Sequence, residues 1–381
     1  MPELVALDLP GGAGFVDALR AIWDTGDAAA PLDPRLPGEA RARVLAALRP
    51  SRIVASDGEI HSLADGLPIE EGDALVVATS GSSGQPKGVV LTHDAISSSA
   101  RATTDRLGVD RDRHTWLACL PLAHIGGLSV VTRALLTATP LMVLPGFAAE
   151  TVEELGRSRR VTHVSLVATA LGRLDPSVFT TVLLGGSRPP GELPANAVVT
   201  YGMTETGSGV IYDGVPLDDV EVAIAHFDDH TAEGEILIRA PMLMRCYRDG
   251  ETGRVIGPDG STTWFGSGDG GYLNGDGLLV VSGRLAEVIT TGGEKVWPDA
   301  VEQVLIAHPG VAEVGVWKRS DPEWGERVVA WVVPLAGRPD PEDLKELVAS
   351  VVAPWAAPKE IVFTDALPRT ASGKLKRGDL A

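Results

Sequence analysis

Apolar runs alternate with amphipathic segments through the middle of the chain. Continuous apolar runs occur at 74–78, 163–168, 180–186 and 196–202, and helix-like patterns occur at 93–108 and 169–174. Short apolar runs bounded by turn residues are typical of buried strands, and their alternation with helices is typical of an α/β fold with a parallel sheet. Two further helical patterns, at 14–25 and 38–49, precede this region. We therefore predict a large N-terminal domain of α/β layers around a parallel sheet.

The pattern changes near residue 230. The stretches 234–241, 262–273 and 278–284 are short strand-like runs with Gly and Asp turns, which predicts a mostly antiparallel β subdomain. A helix at 299–310, two strands at 311–318 and 326–335, a helix at 341–353 and a strand at 359–368 then predict a small, mobile α+β domain. We predict a domain boundary between residues 1–284 and 285–381.

Composition and charge restrict the function. The 381 residues carry a formal net charge of −18, and 44% are hydrophobic. Nucleic-acid binding is disfavoured because that function needs clustered Lys and Arg. Cys119 and Cys246 lack metal-ligand or disulfide spacing. No signal peptide or membrane span is recognised, so a cytoplasmic location is expected. The sequence does not determine the oligomeric state, and a homo-oligomer is possible.

A loop rich in Gly, Ser and Thr, "TSGSSGQPKG", follows the strand predicted at 74–78. Glycines let the backbone approach a ligand, while hydroxyls, N–H groups and one ammonium suit a phosphate. It is not the P-loop of NTPases, since Pro86 replaces the second glycine and Gly88 follows Lys87. The later "GSGDGG" has the spacing of a dinucleotide-binding motif but no following helix. The first loop is therefore predicted to hold an anion, at the end of a parallel strand.

Seven motifs in order resemble the adenylate-forming superfamily, which includes acyl- and aryl-CoA synthetases, the adenylation domains of peptide synthetases and luciferases. They are "TSGSSGQPKG" from Thr79, "LPLAHIGGL" from Leu120, "LLGGS" from Leu183, "YGMTET" from Tyr201, "GSGDGGYL" from Gly266, "GRLAEVITTGGEKVWPDAVE" from Gly283 and "LPRTASGKLKR" from Leu367. The resemblance covers some 300 residues and implies an AMP-forming acid–CoA ligase that uses Mg²⁺, with ATP and CoA as co-substrates.

Within the superfamily, the short chain and "YGMTETGSGVIYDGVPLDDV" resemble short actinobacterial-type o-succinylbenzoate–CoA ligases of menaquinone biosynthesis. The resemblance implies adenylation of a small aryl dicarboxylate and transfer of the acyl group to CoA. Three alternatives remain: another aryl- or acyl-CoA ligase, a stand-alone adenylation enzyme that loads a carrier protein, and a catalytically silent nucleotide-binding protein of the same fold.

The resemblance also implies roles for residues of the phosphate and metal sites. The β- and γ-phosphates would be wrapped by Thr79, Ser80, Gly81, Ser82, Ser83, Gly84 and Lys87. Thr204 would contact the α-phosphate. Glu205 would bind Mg²⁺, a hard cation that prefers carboxylate, phosphate and water oxygens.

The remaining nucleotide contacts come from four motifs. The adenine pocket would be formed by Gly185, Gly186 and Ser187, with Tyr201 stacked on the base and Gly202 and Met203 completing the set. Asp269 would accept hydrogen bonds from the ribose hydroxyls, and Arg284 would add a ribose contact.

The acyl-transfer machinery is implied by the same resemblance. His124 would help to orient the aryl carboxylate, and Gly292 and Gly293 would leave room for the pantetheine arm of CoA. Lys374 would bridge the substrate carboxylate and the α-phosphate as the catalytic lysine. The small domain would rotate between the two half-reactions about Glu287, where relatives often have Asp.

Two further groups of residues are the basic residues near the end of the chain and the side chains that bind the distal carboxylate. Lys376 and Arg377 are interpreted as a basic, solvated tail. The side chains that receive the distal carboxylate of the substrate are not determined, and four residues are candidates by type alone: Thr132, Arg133, Thr206 and Ser208.

Overall fold

The structure, a computed structural model, describes residues 1–80, 85–186, 192–227, 231–369 and 375–380. The α-helices are α1 (Ala13–Asp24), α2 (Gly38–Leu48), α3 (His93–Leu107), α4 (Ile125–Leu136), α5 (Ala149–Arg157), α6 (Ala168–Leu171), α7 (Pro298–Ile306) and α8 (Pro341–Val351).

The strands of the first half are β1 (Leu4–Leu7), β2 (Ala28–Pro31), β3 (Arg52–Val54), β4 (Ile60–Ser62), β5 (Asp73–Ser80), β6 (Pro86–Thr92), β7 (Trp116–Ala118), β8 (Leu141–Val143), β9 (His163–Leu166), β10 (Thr181–Leu184), β11 (Ala197–Met203) and β12 (Ser208–Tyr212). Those of the second half are β13 (Val215–Pro216), β14 (Glu221–His226), β15 (Gly234–Arg239), β16 (Cys246–Tyr247), β17 (Arg254–Val255), β18 (Trp264–Leu273), β19 (Leu279–Arg284), β20 (Ile289–Thr291), β21 (Glu294–Val296), β22 (Val311–Asp321), β23 (Gly325–Pro334) and β24 (Glu360–Phe363).

The chain divides into two compact units. The first comprises Met1–Pro189, Leu193–Ala223 and Leu237–Gly266, and the second comprises Pro190–Glu192, Ile224–Ile236 and Ser267–Ala381. The domain boundary expected between residues 284 and 285 stays a prediction.

Two seven-stranded sheets form the framework of the first unit, with strand orders β16-β6-β5-β2-β1-β3-β4 and β13-β12-β11-β10-β9-β7-β8. Parallel pairing joins β1 to β2 and β3, β2 to β5, and β7, β9, β10 and β11 to one another. The predicted α/β class is confirmed, as are the helices near 14–25 and 38–49. The short strands β1 and β2 were not predicted from the sequence.

The strand predicted at 74–78 is confirmed within β5, where Ala74, Leu75, Val76 and Val77 are fully buried. The expectation that the following loop lies at the end of a parallel strand is confirmed, because β5 pairs parallel with β2. The helix predicted next along the chain does not follow the loop directly. The chain returns through β6, which pairs antiparallel with β5 before α3 begins at His93. The sequence does not distinguish the two cases because "GVVLT" is a second apolar run directly ahead of the helix.

A five-stranded sheet of order β14-β15-β18-β17, with β19 on β18, corresponds to the predicted β subdomain. The pairs β17–β18 and β18–β19 are antiparallel, as expected.

The elements predicted after residue 285 form the core of the second unit. Alternate residues of β23 face opposite sides of its sheet because side chains alternate along a strand. Val328, Ala330 and Val332 belong to the apolar cluster that includes Val301 and Leu305 of α7 and Leu344 and Val348 of α8. Val329 and Trp331 pack with Leu367, Leu375 and Leu380, so the end of the chain covers the other face.

Candidate functional site

The predicted phosphate loop connects the antiparallel strands β5 and β6. Thr79 lies opposite Lys87 and Ser80 opposite Pro86, so both ends of the loop are fixed by the ladder. Thr79 and Ser80 end β5. Gly81, Ser82, Ser83 and Gly84 lie outside the described residues. Strand pairing thus places Thr79 and Lys87 opposite each other at the base of the loop.

The ammonium group of Lys87 contacts two side chains, and the sequence did not indicate either of them. Its Nζ lies 2.8 Å from Oε2 of Glu251 and 4.8 Å from the ring centroid of Tyr247. The hydrogen bond to Glu251 raises the pKa of Lys87, so the side chain stays charged. Because Glu251 lies 164 residues away, only the fold brings this counter-ion to the loop.

The motif "YGMTET" forms the end of β11 and one 3₁₀ turn, Thr204–Thr206, before β12. Glu205 is half-buried, and its Oε1 accepts a hydrogen bond from the hydroxyl of Tyr247 at 2.9 Å. Its carbonyl oxygen accepts from the N–H of Met244 at 2.7 Å. Glu205 is therefore held at both its backbone and its carboxylate.

The hydroxyl of Thr206 serves the turn itself. It accepts the N–H of Met203 at 2.9 Å and lies 2.6 Å from the carbonyl oxygen of Ser208, and Thr206 is fully buried. This use within the turn argues against Thr206 as the receptor of a substrate carboxylate.

Glu205 fits magnesium as a single carboxylate. Among the residues that the structure describes, no three His, Cys, Asp or Glu side chains are placed to hold a metal ion together. Mg²⁺ commonly keeps several waters and is bound by one or two carboxylates plus nucleotide phosphates. The donor set therefore suits a metal that arrives with ATP rather than one held in a protein cage.

The predicted adenine residues lie at the ends of two neighbouring parallel strands. Gly185 and Gly186 follow β10, with Gly186 at φ 88°, and Tyr201 is half-buried on β11. Gly202 sits at a β-bulge against β12, where an added Cβ would lie 2.2 Å from the carbonyl oxygen of Ser208. Only glycine fits that backbone approach. Ser187 lies outside the described residues.

His124 is exposed and caps the N-terminus of α4. Its backbone is extended, and its carbonyl oxygen accepts the N–H groups of Gly127 and Leu128 at 3.0 Å. The apolar face of α4 is buried, so the helix fixes the position of His124.

Arg133, on the same helix, has a charged side chain that is buried. It is 2% exposed, its guanidinium carbon lies 4.8 Å from the ring centroid of Trp116, and Nη2 lies 3.4 Å from Oγ of Ser208. Nε and Nη1 have no hydrogen-bond partner within the part of the chain that the structure describes. Burial lowers the pKa of Arg133. A buried guanidinium with two unused donors is costly unless an anion pairs with it.

The structure brings Asp269 and Arg284, of the second unit, together. They lie opposite each other on β18 and β19, with Nε of Arg284 2.9 Å from Oδ1 of Asp269. Asp269 is 5% exposed. The neighbouring Gly270 leaves room for the ring of Trp297, which an added Cβ would approach to 2.1 Å. Without the family resemblance, the local sequence around Asp269 would predict a turn. In the structure Asp269 lies within strand β18.

Gly292 and Gly293 form the two-residue turn between β20 and β21. Their φ angles of 59° and 89° are positive at both positions, which is the requirement of a type I′ hairpin turn. The N–H of Gly292 donates to the carbonyl oxygen of Trp324 at 3.0 Å, and Trp324 is 42% exposed beside the turn. The sequence carries no local signal for Trp324, whose position follows from the pairing of β20 with β23.

Lys374 lies outside the described residues, but the chain on either side of it is anchored. Arg369 forms an antiparallel bridge with Leu375, and the N–H of Lys376 donates to the carbonyl oxygen of Pro368 at 2.9 Å. Leu375 packs into the apolar cluster beneath β23. The residue directly after Lys374 is therefore part of the folded unit.

The interpretation of Arg377 as a solvated tail residue is wrong. Its side chain is 13% exposed, and its guanidinium bonds Glu287 at 2.6 Å, Glu302 at 2.8 Å and Asp299. Burial raises the pKa of Glu302 to about 7, against the opposing pull of Arg377. Lys376, in contrast, is half-exposed and pairs with Asp379, as expected of a tail residue.

No helix within the described ranges has the length and apolar character needed to cross a membrane.

Comparison with known proteins bears on the whole chain. Residues 67–248 match the family model of the AMP-binding enzymes, and residues 300–374 match that of the AMP-binding enzyme C-terminal domain. A 2–succinylbenzoate–CoA ligase of Bacillus anthracis is 31% identical over 99% of this chain and 88% of that protein.

Two solved structures are similar over the same extent. The o-succinylbenzoate CoA synthetase from Bacillus subtilis in complex with the acyl-adenylate intermediate has a TM-score of 0.85 and 27% identity, covering 99% of this chain and 88% of that one. The same enzyme in complex with ATP and magnesium ion has a TM-score of 0.84 and 28% identity, covering 99% and 89%. The chain belongs to the family of AMP-binding, adenylate-forming enzymes.

Proposed function

We propose that this chain is a 2-succinylbenzoate–CoA ligase. In the first step a carboxylate oxygen of the substrate attacks the α-phosphorus of ATP, which forms the acyl-adenylate and releases pyrophosphate. In the second step the CoA thiol attacks the acyl carbon, which forms the thioester and releases AMP. Similarity to ligases of this name over nearly the full length of both chains supports the proposal.

The buried guanidinium of Arg133 is the observation that supports a dicarboxylate substrate. A simple benzoate or fatty acid has one carboxylate, and adenylation uses it. A second, distal carboxylate would give Nε and Nη1 of Arg133 the partner that the described residues do not supply. Arg–carboxylate pairs are strong because two N–H groups can bond both oxygens. Ser208, which already touches the guanidinium, supplies a further hydroxyl.

The first unit supplies the groups that stabilise phosphate charge. Lys87, on the edge of the phosphate loop, is fully charged and would contact the terminal phosphates. Thr204 would donate to the α-phosphate, while Glu205 would hold Mg²⁺. The bound metal would neutralise charge on the phosphate oxygens. Because these groups are already held in place by the turn and the ladder, little reorganisation accompanies the reaction.

The second unit supplies the ribose and transfer residues. Asp269 would accept hydrogen bonds from the ribose hydroxyls, which its buried, strand-borne position favours, and Arg284 would orient it. Lys374 would supply the ammonium that bridges carboxylate and α-phosphate. The Gly292–Gly293 turn, with Trp324 beside it, would accommodate the pantetheine arm of CoA.

A substrate panel tests the proposal. Purified protein with MgATP and CoA is given 2-succinylbenzoate, benzoate, octanoate and the 2-succinylbenzoate analogue whose distal carboxylate is a methyl ester. AMP release and the CoA ester are measured. We expect both products from 2-succinylbenzoate alone. Preference for benzoate or octanoate, or an adenylate that transfers to a carrier protein and not to CoA, would favour the alternative enzymes. ATP binding without carboxylate-dependent pyrophosphate exchange would favour the silent protein.

A further inference from the structure

Tyr247 links the proposed magnesium carboxylate to the proposed phosphate lysine. It lies on β16, which pairs antiparallel with β6, and Tyr247 is opposite Val89. The N–H of Arg248 donates to the carbonyl oxygen of Gly88 at 2.7 Å, so the segment is fixed to the strand that carries Lys87. The N–H of Tyr247 donates to the carbonyl oxygen of Glu251 at 2.6 Å and closes the turn.

One tyrosine side chain contacts both functional groups. Its hydroxyl donates to Oε1 of Glu205 at 2.9 Å, and its ring centroid lies 4.8 Å from Nζ of Lys87. A tyrosine phenol is ordinarily protonated at neutral pH. A protonated phenol can donate to the carboxylate, and the bond is charge-assisted.

Glu251 completes the arrangement from the other end of the turn. Its carboxylate lies 2.8 Å from Nζ of Lys87, and both side chains are accessible to solvent, at 66% and 38% exposure. An exposed ion pair contributes little to stability, so phosphate oxygens can replace Glu251 as the partner of Lys87 at small cost.

We propose that Tyr247 is a positioning residue for adenylation, and that Glu251 is the counter-ion which Lys87 exchanges for the phosphates of ATP. This inference rests on the proposed function. The hydroxyl of Tyr247 fixes one oxygen of Glu205 and leaves the other for the metal. Its ring face holds the ammonium of Lys87 beside the phosphate loop. Neither contact requires Tyr247 to touch the reacting atoms.

We expect substitution of Tyr247 to change the Mg²⁺ requirement of adenylation and not the later transfer to CoA. Tyr247→Phe keeps the ring and removes only the bond to Glu205. A hydrogen bond to a charged group is stronger than one between neutral groups, and partial exposure weakens it, so the Mg²⁺ concentration for half-maximal adenylation should rise about 5- to 20-fold. At saturating Mg²⁺ the rate should recover. Conversion of supplied acyl-adenylate to the thioester should not change, since that step uses no triphosphate.

Glu251→Gln should act in the opposite direction. The variant removes the competitor for Lys87, so KM for MgATP should fall about 2- to 5-fold.

Two matched controls separate these effects from general ones. Tyr212→Phe removes a buried tyrosine hydroxyl that bonds Thr103, and should leave the Mg²⁺ requirement unchanged. Glu221→Gln removes an exposed carboxylate that pairs with Arg239, and should leave KM for MgATP unchanged.

A binding measurement tests the inference independently of the substrate. The shift of the thermal midpoint by ATP is measured with and without Mg²⁺ in the full-length protein and each variant. We expect Tyr247→Phe to lose most of the Mg²⁺-dependent increment and keep the increment due to ATP alone. An unchanged Mg²⁺ dependence, or equal loss of both half-reactions, overturns the role of Tyr247. If the parent binds MgATP in this way but does not adenylate 2-succinylbenzoate, the proposed function fails and the inference stands.

Discussion

Nη1 of Arg377 lies 2.6 Å from Oε2 of Glu287, 90 residues earlier in the chain. Glu287 ends the 3₁₀ turn Leu285–Glu287, and the resemblance assigns the hinge to it. Arg377 follows the proposed catalytic lysine by three positions. The contact therefore ties the segment after Lys374 to the proposed hinge through one buried guanidinium.

Arg377→Gln should slow adenylation by about tenfold. The change leaves the carboxylates of Glu287, Asp299 and Glu302 without their shared cation, which releases the segment that follows Lys374. Carboxylate-dependent pyrophosphate–ATP exchange measures the effect. Lys376→Gln, which removes an exposed charge next to it, is the control and should behave as the parent does. Equal rates for the two variants would contradict the positional role.

Lys374→Ala should lower the adenylation rate on the order of 10²–10³-fold, the usual loss for one electrostatic stabiliser of a transition state. Thioester formation from supplied acyl-adenylate should suffer much less. Single-turnover measurements of each half-reaction separate the two. A variant that forms the adenylate as fast as the parent would remove Lys374 from the mechanism.

Arg133→Met should raise KM for 2-succinylbenzoate by about 100-fold or more and leave KM for ATP unchanged. Methionine fills a similar volume, but it cannot pair with the distal carboxylate. The free protein should become more stable by about 1–4 kcal/mol, because the change removes a buried charge to which no described residue offers a carboxylate. Urea unfolding and steady-state kinetics measure the two effects. Loss of stability without a change in KM would show that the guanidinium has a structural role only.

Glu302 should make stability fall as pH rises from about 4.5 to about 7. Its pKa is about 7 in the folded protein and near 4.5 when unfolded, so between these values the folded state holds a proton that the unfolded state has lost. Stability from this group is full below pH 4.5 and is lost through pH 7, by about 3 kcal/mol at most. Glu302→Gln should abolish that difference.

Thermal unfolding of the parent and the Glu302→Gln variant at pH 4.5 and pH 8 measures it. Glu313→Gln, which removes a half-exposed carboxylate paired with Arg369, serves as the control and should keep the slope of the parent. Identical slopes for the parent and Glu302→Gln would contradict the raised pKa.

The sequence by itself determined the secondary structure wherever local rules are strong. The apolar run in β5 and the helices α3, α7 and α8 follow from periodicity, which depends on neighbouring residues alone. The ordered motifs likewise indicated the family. These features needed no knowledge of the path of the chain.

Only the tertiary structure decided which distant side chains meet. Glu251 reaches Lys87 across 164 residues, Tyr247 reaches Glu205 across 42, and Arg377 reaches Glu287 across 90. The same holds for the antiparallel return of β6 and for the burial of Arg133, which has no carboxylate partner among the described residues. A polar side chain takes its partner from strand register and helix packing, and neither is encoded in the residues next to it.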